Sequence, residues 1–401
     1  MSNVIIVGSG LSGLFAAAML TGNVTILEAS KSPFGNSKLA SSGFGFPLDN
    51  DDIMEYANDI IKSCGGRGIS PRNANVNLIN KVVKESMNVK NVMRKIGFKF
   101  DQITAAGGHS RDRIHRFAGK NVGEHVVKKL LDIVLSDKRK SIRYGSKVTR
   151  IGIDNDGVYV IYITRKVRHV ERPDYVIIAT GGSGWSYARK NNYFTTNRKT
   201  AKRKKLLDMP VKYTIGKYQI HPTSFKNNMI EGRNFLVPEY LRGLGSRLVT
   251  ENLKDINYVK TTSETNDVNN SIKNNVNLLT RDRLSGIVLD YIAKGKKIFI
   301  QVPKSIDVDF YIKKGLIDEK SRLGEVVPAI HYTLSGYHVN EDLNPIGKNG
   351  QTLTVVDGKS RVFVIGESVG NFHGENRLCG ASLMCCVTMG YMAAMKINNK
   401  Y

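Results

Sequence analysis

The 401-residue sequence contains no uninterrupted apolar stretch that approaches the roughly 20 residues a helix needs to cross a bilayer. Its four cysteines, at positions 64, 379, 385 and 386, have the spacing of neither a disulfide scaffold nor a zinc site, so no metal is expected. We interpret the neighbouring Cys385 and Cys386 as small packing residues on a buried helix, with a redox-active pair as the alternative. The first three residues lead directly into an apolar segment, so we expect no signal peptide and a cytoplasmic protein.

Acidic residues are scarce relative to basic ones. The chain has 60 Lys and Arg against 35 Asp and Glu, which gives a formal net charge of +25. A charge of this size is compatible with a nucleic-acid or anionic-membrane partner. The excess is dispersed apart from Arg198–Lys205, however, and no recognised nucleic-acid-binding motif accompanies that run. We therefore expect a basic surface that attracts anionic substrates, and no DNA or RNA partner.

The sharpest local pattern is an apolar strand that enters a glycine-rich turn at the start of the chain. Residues 4–7 are apolar, and the turn that follows consists of Gly8, Ser9, Gly10, Leu11, Ser12 and Gly13. Glycines let the backbone approach a pyrophosphate, and the N terminus of the next helix points its N–H groups at that charge. A second strand ends in Glu28, 20 residues after Gly8, where an acid accepts a ribose hydroxyl. Strand, glycines, helix, strand and acid together predict a site for FAD.

Two later strands repeat the apolar-to-glycine pattern. The strand at 175–180 ends at Thr180 and is followed by Gly181 and Gly182, while the strand at 362–365 is followed by Gly366 and Glu367. We predict that both strands join the sheet of the first strand and that their turns contact the same nucleotide.

The pattern between these strands predicts two domains of α/β character. Helical periodicity covers 51–98 and 122–134, and Asn155-Asp156-Gly157 joins two alternating strands as a hairpin. From about 220 to 331 the chain changes to short strands and helices with a polar tract at 252–277, which we interpret as a surface excursion. We therefore predict a nucleotide-binding domain built from residues 1–219 and 332–401, interrupted by a capping domain at 220–331.

Five short motifs follow the FAD-type start in a fixed order. They are Gln-Ile-His-Pro-Thr at 219–223, Pro-Glu-Tyr-Leu-Arg-Gly at 238–243, Thr-Arg-Asp at 280–282, Ala-Ile-His-Tyr-Thr at 329–333 and His-Gly-Glu-Asn-Arg at 373–377. With these motifs the chain resembles, from end to end, the flavoprotein family of fumarate reductase, succinate dehydrogenase and L-aspartate oxidase. The resemblance implies a glutathione-reductase-like FAD-binding (Rossmann-type) domain with an inserted α+β capping domain, and the family's C-terminal helical domain is expected to be absent.

The resemblance also implies how a small dicarboxylate substrate is held against the flavin so that a hydride points at flavin N5. Arg377 matches the arginine that grips one carboxylate, since a guanidinium donates two parallel hydrogen bonds. His331 assists Arg377, while His221 and Thr223 take the other carboxylate.

A second implied set of residues moves protons. Arg281 matches the arginine that delivers a proton to the substrate carbon in fumarate-reducing members of the family. Glu239 and Arg242, three residues apart on one helical face, match its relay. For amino-acid oxidation the alternative is that Arg281 only binds and polarises the substrate.

Further flavin contacts are implied by position. They are Ala29, Ser37, Ser42, Gly43, Val148, Ser382 and Leu383. The last two open a helix whose N-terminal partial positive charge faces the flavin O2/N1 edge. Asn36 occupies the position where succinate dehydrogenases carry a histidine bonded to FAD, so we expect the cofactor to be non-covalent.

The resemblance leaves the substrate open. The stretches 107–114 and 233–236 look most like L-aspartate oxidase, whereas Ala106 replaces the acid linked to the substrate amino group and Pro238 replaces a threonine donor. We expect oxidation of L-aspartate to iminoaspartate, a step of quinolinate and NAD synthesis, with electrons passed to oxygen or fumarate. The alternatives are a fumarate reductase or succinate dehydrogenase flavoprotein and, in another class, a non-catalytic flavin-binding scaffold. A partner subunit is a further possibility.

Overall fold

A computed structural model of the chain describes residues 1–32, 35–65, 73–118, 121–191, 193–197, 205–230, 233–256, 279–356 and 358–399. Residues 198–204 of the basic run and 257–277 of the polar tract lie outside these ranges. The strands are β1 (Asn3–Val7), β2 (Asn23–Glu28), β3 (Phe44–Gly45), β4 (Gln102–Thr104), β5 (Ile114–Arg116), β6 (Lys140–Tyr144), β7 (Ser146–Asp154), β8 (Gly157–Thr164), β9 (Val167–Glu171), β10 (Tyr175–Ile178), β11 (Tyr213–Thr214), β12 (Tyr218–Ile230), β13 (Arg233–Leu236), β14 (Arg247–Thr250), β15 (Ile298–Gln301), β16 (Leu323–Thr333), β17 (Gly336–Tyr337), β18 (Val355–Val356), β19 (Lys359–Ser360) and β20 (Val362–Val364). The helices are α1 (Leu11–Met19), α2 (Asp52–Cys64), α3 (Val76–Lys95), α4 (Val122–Ser136), α5 (Gly184–Lys190), α6 (Glu239–Gly243), α7 (Arg281–Ala293), α8 (Asp309–Lys313) and α9 (Ala381–Ile397).

A parallel sheet forms the centre of the larger hydrophobic core. Its five strands lie in the order β20-β10-β1-β2-β6, and every neighbouring pair is parallel. Helices α1, α3, α4 and α9 contribute apolar side chains to the same core. The near-continuous Val and Ile content of β1 and β10 follows from burial on both faces, which is typical of parallel sheets. The predicted Rossmann-type sheet is confirmed.

A second, antiparallel sheet carries the smaller core. Its order is β13-β12-β16-β15-β14, and α7 packs on it through Leu284 and Val288. Strands β12 and β16 have 13 and 11 residues, so they are longer than the short strands expected from sequence. The register shifts between His221 and Ser224, around Pro222, which has no N–H to donate to the ladder. The proposed domain boundaries at 219/220 and 331/332 fall inside these two long strands.

Other features concern the cysteines and membrane association. All four cysteines are free, and Cys385 is buried in α9, where its thiol lies 3.4 Å from the sulfur of Met389. Among the described residues, every helix is too short or too polar to cross a bilayer.

Candidate active site

The carboxyl ends of the parallel strands bring the three glycine turns together. Ile178 pairs with Val7 on one side and with Val364 on the other, so the turns after β1, β10 and β20 meet at one edge of the sheet. Ligands of open α/β sheets bind at this edge. The predicted convergence of these segments, which lie far apart in sequence, is therefore present in the fold.

The first turn has the shape that a pyrophosphate requires. Gly8 has φ of +107°, and a Cβ on Gly13 would lie 2.1 Å from the Gly8 carbonyl oxygen. In contrast, a Cβ on Gly10 would meet only the Ser37 hydroxyl, at 3.8 Å. At the N terminus of α1, the Leu11 amide donates to the hydroxyl of the predicted flavin contact Ser37 at 3.1 Å. Two glycines are therefore needed for the fold itself, whereas Gly10 leaves room beside a helix N terminus where phosphate oxygens are stabilised.

Glu28 is held at the end of β2 by two serines. Its Oε2 accepts hydrogen bonds from the Ser9 amide and hydroxyl at 2.9 and 2.7 Å, and its Oε1 accepts from the Ser30 amide and hydroxyl at 2.8 and 2.7 Å. These four hydrogen bonds fill the about four acceptor positions of the carboxylate, so a ribose hydroxyl binds Glu28 by displacing one of the serine donors. The adjacent Ala29 is exposed, and Val148 is buried in β7 as part of the larger core.

The second and third turns are joined through Glu367. Its Oε1 accepts from the Thr333 amide at 2.8 Å, and a Cβ on Gly182 would lie 2.1 Å from the same oxygen. Gly181 has φ of +68°, and the Thr180 hydroxyl lies 3.1 Å from that of Ser368. The positive φ at Gly181 and the close approach at Gly182 explain why both turn positions after β10 are glycines.

Two further segments predicted to contact the flavin are the start of α9 and the turn at Gly43. Helix α9 starts after Gly380, which has φ of +73°, and no side chain caps its N terminus. The Ser382 hydroxyl accepts from Arg377 Nη1 at 3.1 Å, and Leu383 is buried. Gly43 lies against β5, where a Cβ would approach the His115 carbonyl oxygen to 2.7 Å. The glycine cradle, the acid and the N termini of α1 and α9 fit FAD.

Glu239 and Arg281 form a buried ion pair from two different helices. Arg281 Nε and Nη2 donate to Glu239 Oε2 at 2.9 and 2.7 Å, although the residues are 42 positions apart. Arg242 Nη2 lies 4.0 Å from the same carboxylate on α6. Burial alone would raise the pKa of Glu239, but Arg281 and Arg242 lower it to about 2. The carboxylate is thus charged, and its field in turn raises the pKa of Arg281 against the opposing effect of burial.

Gln219 connects this ion pair to Arg377. Its Oε1 accepts from Arg281 Nη1 at 3.2 Å, and its Nε2 donates to the Arg377 carbonyl oxygen at 2.7 Å and to Asn376 at 2.7 Å. Arg377 is 3% exposed, and its guanidinium lies 4.7 Å from the centre of the Tyr332 ring. Burial and then Arg281 lower the pKa of Arg377 to about 10. We call Glu239, Arg242, Arg281 and Arg377 the arginine cluster.

His221 and His331 lie beside the arginine cluster on the two long strands. Their ring centres are 5.2 Å apart, and His331 Nδ1 lies 2.9 Å from the Thr196 hydroxyl. His221 Nδ1 lies 2.8 Å from the Thr223 carbonyl oxygen and 3.2 Å from the Thr223 amide. Its Nε2 is buried and has no hydrogen-bond partner among the described residues. Burial first, and Arg281 next, hold the pKa of both imidazoles well below the usual value, so both are neutral.

Contacts of Gln219 and Cys379 at this site were not predicted from the sequence. The motif 219–223 was recognised in the sequence, but no role was predicted for Gln219. Its position two residues before His221, on the same face of a strand, was the only signal for that role. Cys379 Sγ lies 3.6 Å from Arg281 Nη2, with only its proximity to Arg377 in sequence to indicate this. The stretch 107–114 makes contacts that stabilise the fold. Arg113 forms ion pairs with the buried Asp52 and Asp59, and His109 Nε2 lies 2.9 Å from the Cys379 carbonyl oxygen.

Comparisons with known proteins support FAD binding. A family described as FAD binding domain matches residues 3–383. Fumarate reductase 1 of Saccharomyces cerevisiae is 27% identical over 100% of this chain and 99% of its own length. L-aspartate oxidase of Pyrococcus furiosus is 27% identical over 96% of this chain and 76% of its own. A solved quinol-fumarate reductase with menaquinol has a TM-score of 0.77 at 18% identity, covering 99% of this chain and 71% of that one, which shows a shared fold.

The chain therefore belongs to the FAD binding domain family. Within it, the protein is an FAD-dependent oxidoreductase of the fumarate reductase and succinate dehydrogenase flavoprotein type.

Proposed function

We propose that this protein transfers a hydride between FAD and a four-carbon dicarboxylate bound at the arginine cluster. The observation that carries the proposal is the charge of that cluster. Three buried arginines surround one buried carboxylate, which leaves an excess of two positive charges beside two neutral histidines. Buried charge is costly unless it is paired. A dicarboxylate carries the two negative charges that balance this excess.

Each carboxylate has donors suited to it. Arg377 Nε is buried without a hydrogen-bond partner among the described residues, so it is available to one carboxylate. His221 serves the other: its Nδ1 donates to the Thr223 carbonyl oxygen at 2.8 Å, so Nε2 binds a substrate carboxylate through the proton that the imidazole takes up with the anion. Thr223 thereby sets the tautomer of His221. The Thr196 hydroxyl holds the neighbouring His331, whose ring centre lies 5.2 Å from that of His221.

Protons move through Arg281 and Glu239 in this proposal. Arg281 hands a proton to, or accepts one from, the substrate carbon, and Glu239 exchanges that proton with Arg281 across the 2.7 Å contact. Glu239 is ionised at rest, so it is ready to accept a proton, and loss of charge on Arg281 would raise its affinity for one. Bound FAD supplies the hydride acceptor or donor. Burial of the cluster excludes water from these steps.

L-Aspartate is the first candidate substrate. The stretches 107–114 and 233–236 and several L-aspartate oxidases among the relatives favour it. The product would be iminoaspartate, and the reduced cofactor would be reoxidised by oxygen or fumarate.

Fumarate and succinate are the second candidate, and a specific observation favours them. An ammonium group requires an acid, but Ala106 offers none, and Glu239 is already bound to Arg281. The segment 107–114 forms contacts within the fold, so its likeness to L-aspartate oxidase speaks less directly for the substrate.

Anaerobic titration of the purified yellow protein distinguishes the candidates. Loss of flavin absorbance with L-aspartate selects the oxidase, whereas loss with succinate alone, or reoxidation by fumarate of a protein that L-aspartate does not reduce, selects the second candidate. L-Asparagine, which lacks the side-chain carboxylate, is the matched control and should have no effect. If none of the dicarboxylates changes the spectrum, the enzymatic proposal is wrong and a flavin-binding scaffold remains.

A further inference from the structure

Asn376 lies where elements of the two hydrophobic cores meet. It is 4% exposed and precedes Arg377 in the segment between β20 and α9. Ser63 belongs to α2, which packs in the larger core, whereas Asp282 belongs to α7, which packs in the smaller one. The Asn376 side chain hydrogen-bonds to both of these residues and to Gln219 of β12. One amide therefore joins segments of both cores.

These contacts require the particular donors and acceptor of an asparagine. Asn376 Nδ2 donates to Asp282 Oδ1 at 3.0 Å and to Ser63 Oγ at 3.2 Å, which uses both of its N–H groups. Its Oδ1 accepts from Gln219 Nε2 at 2.7 Å. An aspartate at position 376 would offer acceptors alone and would place one of them against the Asp282 carboxylate.

The contacts of Asn376 close a ring around Arg281. Asp282 follows Arg281 in the chain, and both residues lie in the first turn of α7. Gln219, which Asn376 holds, accepts from Arg281 Nη1 at 3.2 Å. The restraint on Arg281 is therefore double: Asp282 holds its backbone, and Gln219 holds its guanidinium.

The same ring sets the spacing between two arginines of the proposed reaction. Gln219 Nε2 also donates to the Arg377 carbonyl oxygen at 2.7 Å. Arg377 would bind one substrate carboxylate, and Arg281 would exchange a proton with the substrate carbon, so the rate depends on their separation. A displacement of about 1 Å at a reacting group can lower a rate about 100-fold.

We propose that Asn376 is a positioning residue that holds Arg281 at the distance from the bound dicarboxylate that proton transfer requires. The inference rests on the proposed function. Asn376 acts through Asp282 and Gln219 rather than on the substrate itself. Substrate binding depends less on this ring, because Arg377 lies next to Asn376 in the same segment and moves with it.

Exchange of the two side chains between positions 376 and 282 tests the role. Asn376→Asp should place two carboxylates face to face, displace the first turn of α7 and lower kcat about 100-fold, with little change in the Kd of the dicarboxylate. Asp282→Asn alone keeps an acceptor for the Asn376 amide and should stay near the wild type. The double variant should recover most of the lost kcat, because the amide at position 282 then donates to the carboxylate at position 376. Asn376→Ala, which adds no charge, should lower kcat in the same direction.

Asn344→Ala is the matched control. Asn344 is also 4% exposed, and its Nδ2 donates to the Val362 carbonyl oxygen at 3.0 Å beside the parallel sheet. Its loss should lower the Tm without changing kcat. A general loss of stability would affect kcat in this control as well, so the comparison separates positioning from destabilisation.

Hydrogen exchange measured by mass spectrometry is independent of turnover. The peptide that covers α7 should exchange faster in Asn376→Asp than in the wild type, and the double variant should restore its protection. If the wild type turns over but Asn376→Asp keeps its kcat, or if the double variant recovers neither kcat nor protection, the positioning role is wrong while the reaction stands. A wild type that is inactive with every dicarboxylate overturns the proposed function and the role of Asn376 in it.

Discussion

Replacing Glu239 by Gln should destabilise the fold and slow the reaction, because the carboxylate neutralises two buried guanidiniums. Its pKa falls from 4.5 to about 2, a difference of about 2.5 units, which corresponds to about 3 kcal/mol in favour of the charged form. Removal of one partner from a buried pair typically costs about 3–5 kcal/mol. We therefore expect the free energy of unfolding to drop by about 3 kcal/mol.

The assay is urea unfolding of Glu239→Gln beside a matched control. Glu325→Gln removes a carboxylate from β16, but Glu325 pairs with Lys226, whose side chain is 40% exposed. Pairs of that kind contribute about 0–1 kcal/mol, so the control should remain near the wild type. Equal losses in the two variants would refute the reasoning from burial.

The pH dependence of folding stability is an independent test of the charge on Glu239. The pKa of Glu239 is lower in the folded state, so its contribution is complete above pH 4.5 and is lost as the pH falls from 4.5 towards about 2. The wild type should lose stability over that window relative to Glu239→Gln. Turnover of the variant should also fall about 100-fold or more, the usual scale for losing a proton-transfer group. If the stabilities of the wild type and Glu239→Gln fell equally as the pH was lowered, the low pKa of Glu239 would be contradicted.

Three further predictions concern the cofactor turn, the proton donor and the histidines. Gly10→Ala should leave the apoprotein folded, because its Cβ has room, yet weaken FAD binding at least tenfold by flavin titration; unchanged affinity would remove this turn from the cofactor site. Arg281→Lys should keep FAD bound and cut turnover about 100-fold or more, since the substrate proton loses its donor geometry; a near-normal rate would exclude Arg281 from the mechanism. Binding of fumarate at pH 6 should take up protons, because an anion raises the depressed pKa of His221 and His331; calorimetric heats that do not depend on the buffer would contradict this.

Much of the nucleotide-binding part was predictable because its signals are local. The turn from Gly8 to Gly13 follows an apolar strand and precedes a helix. Close approaches within or near the turn explain Gly8 and Gly13, whereas Gly10 leaves room for a phosphate. The helices and hairpin strands likewise follow periodicity over a few adjacent residues. The membership of β10 and β20 in the sheet of β1 followed from their shared apolar-to-glycine ends.

The charged site was predictable only through the order of its motifs. Nothing local relates Glu239 to Arg281, which lie on separate helices, and their ion pair forms only when α7 packs against β12. The role of Gln219 depends on the tertiary fold in the same way, because its amide connects two arginines. Contacts of this kind are set by packing between distant segments, so no spacing within a segment encodes them.

The most direct measurement is a crystal structure of the oxidised, FAD-loaded protein with fumarate, which cannot accept a hydride from oxidised flavin. The account predicts fumarate between the two sheets, with one carboxylate within about 3.2 Å of Arg377 and the other within that distance of His221 Nε2. Fumarate bound elsewhere, or a flavin ring remote from these side chains, would contradict the account.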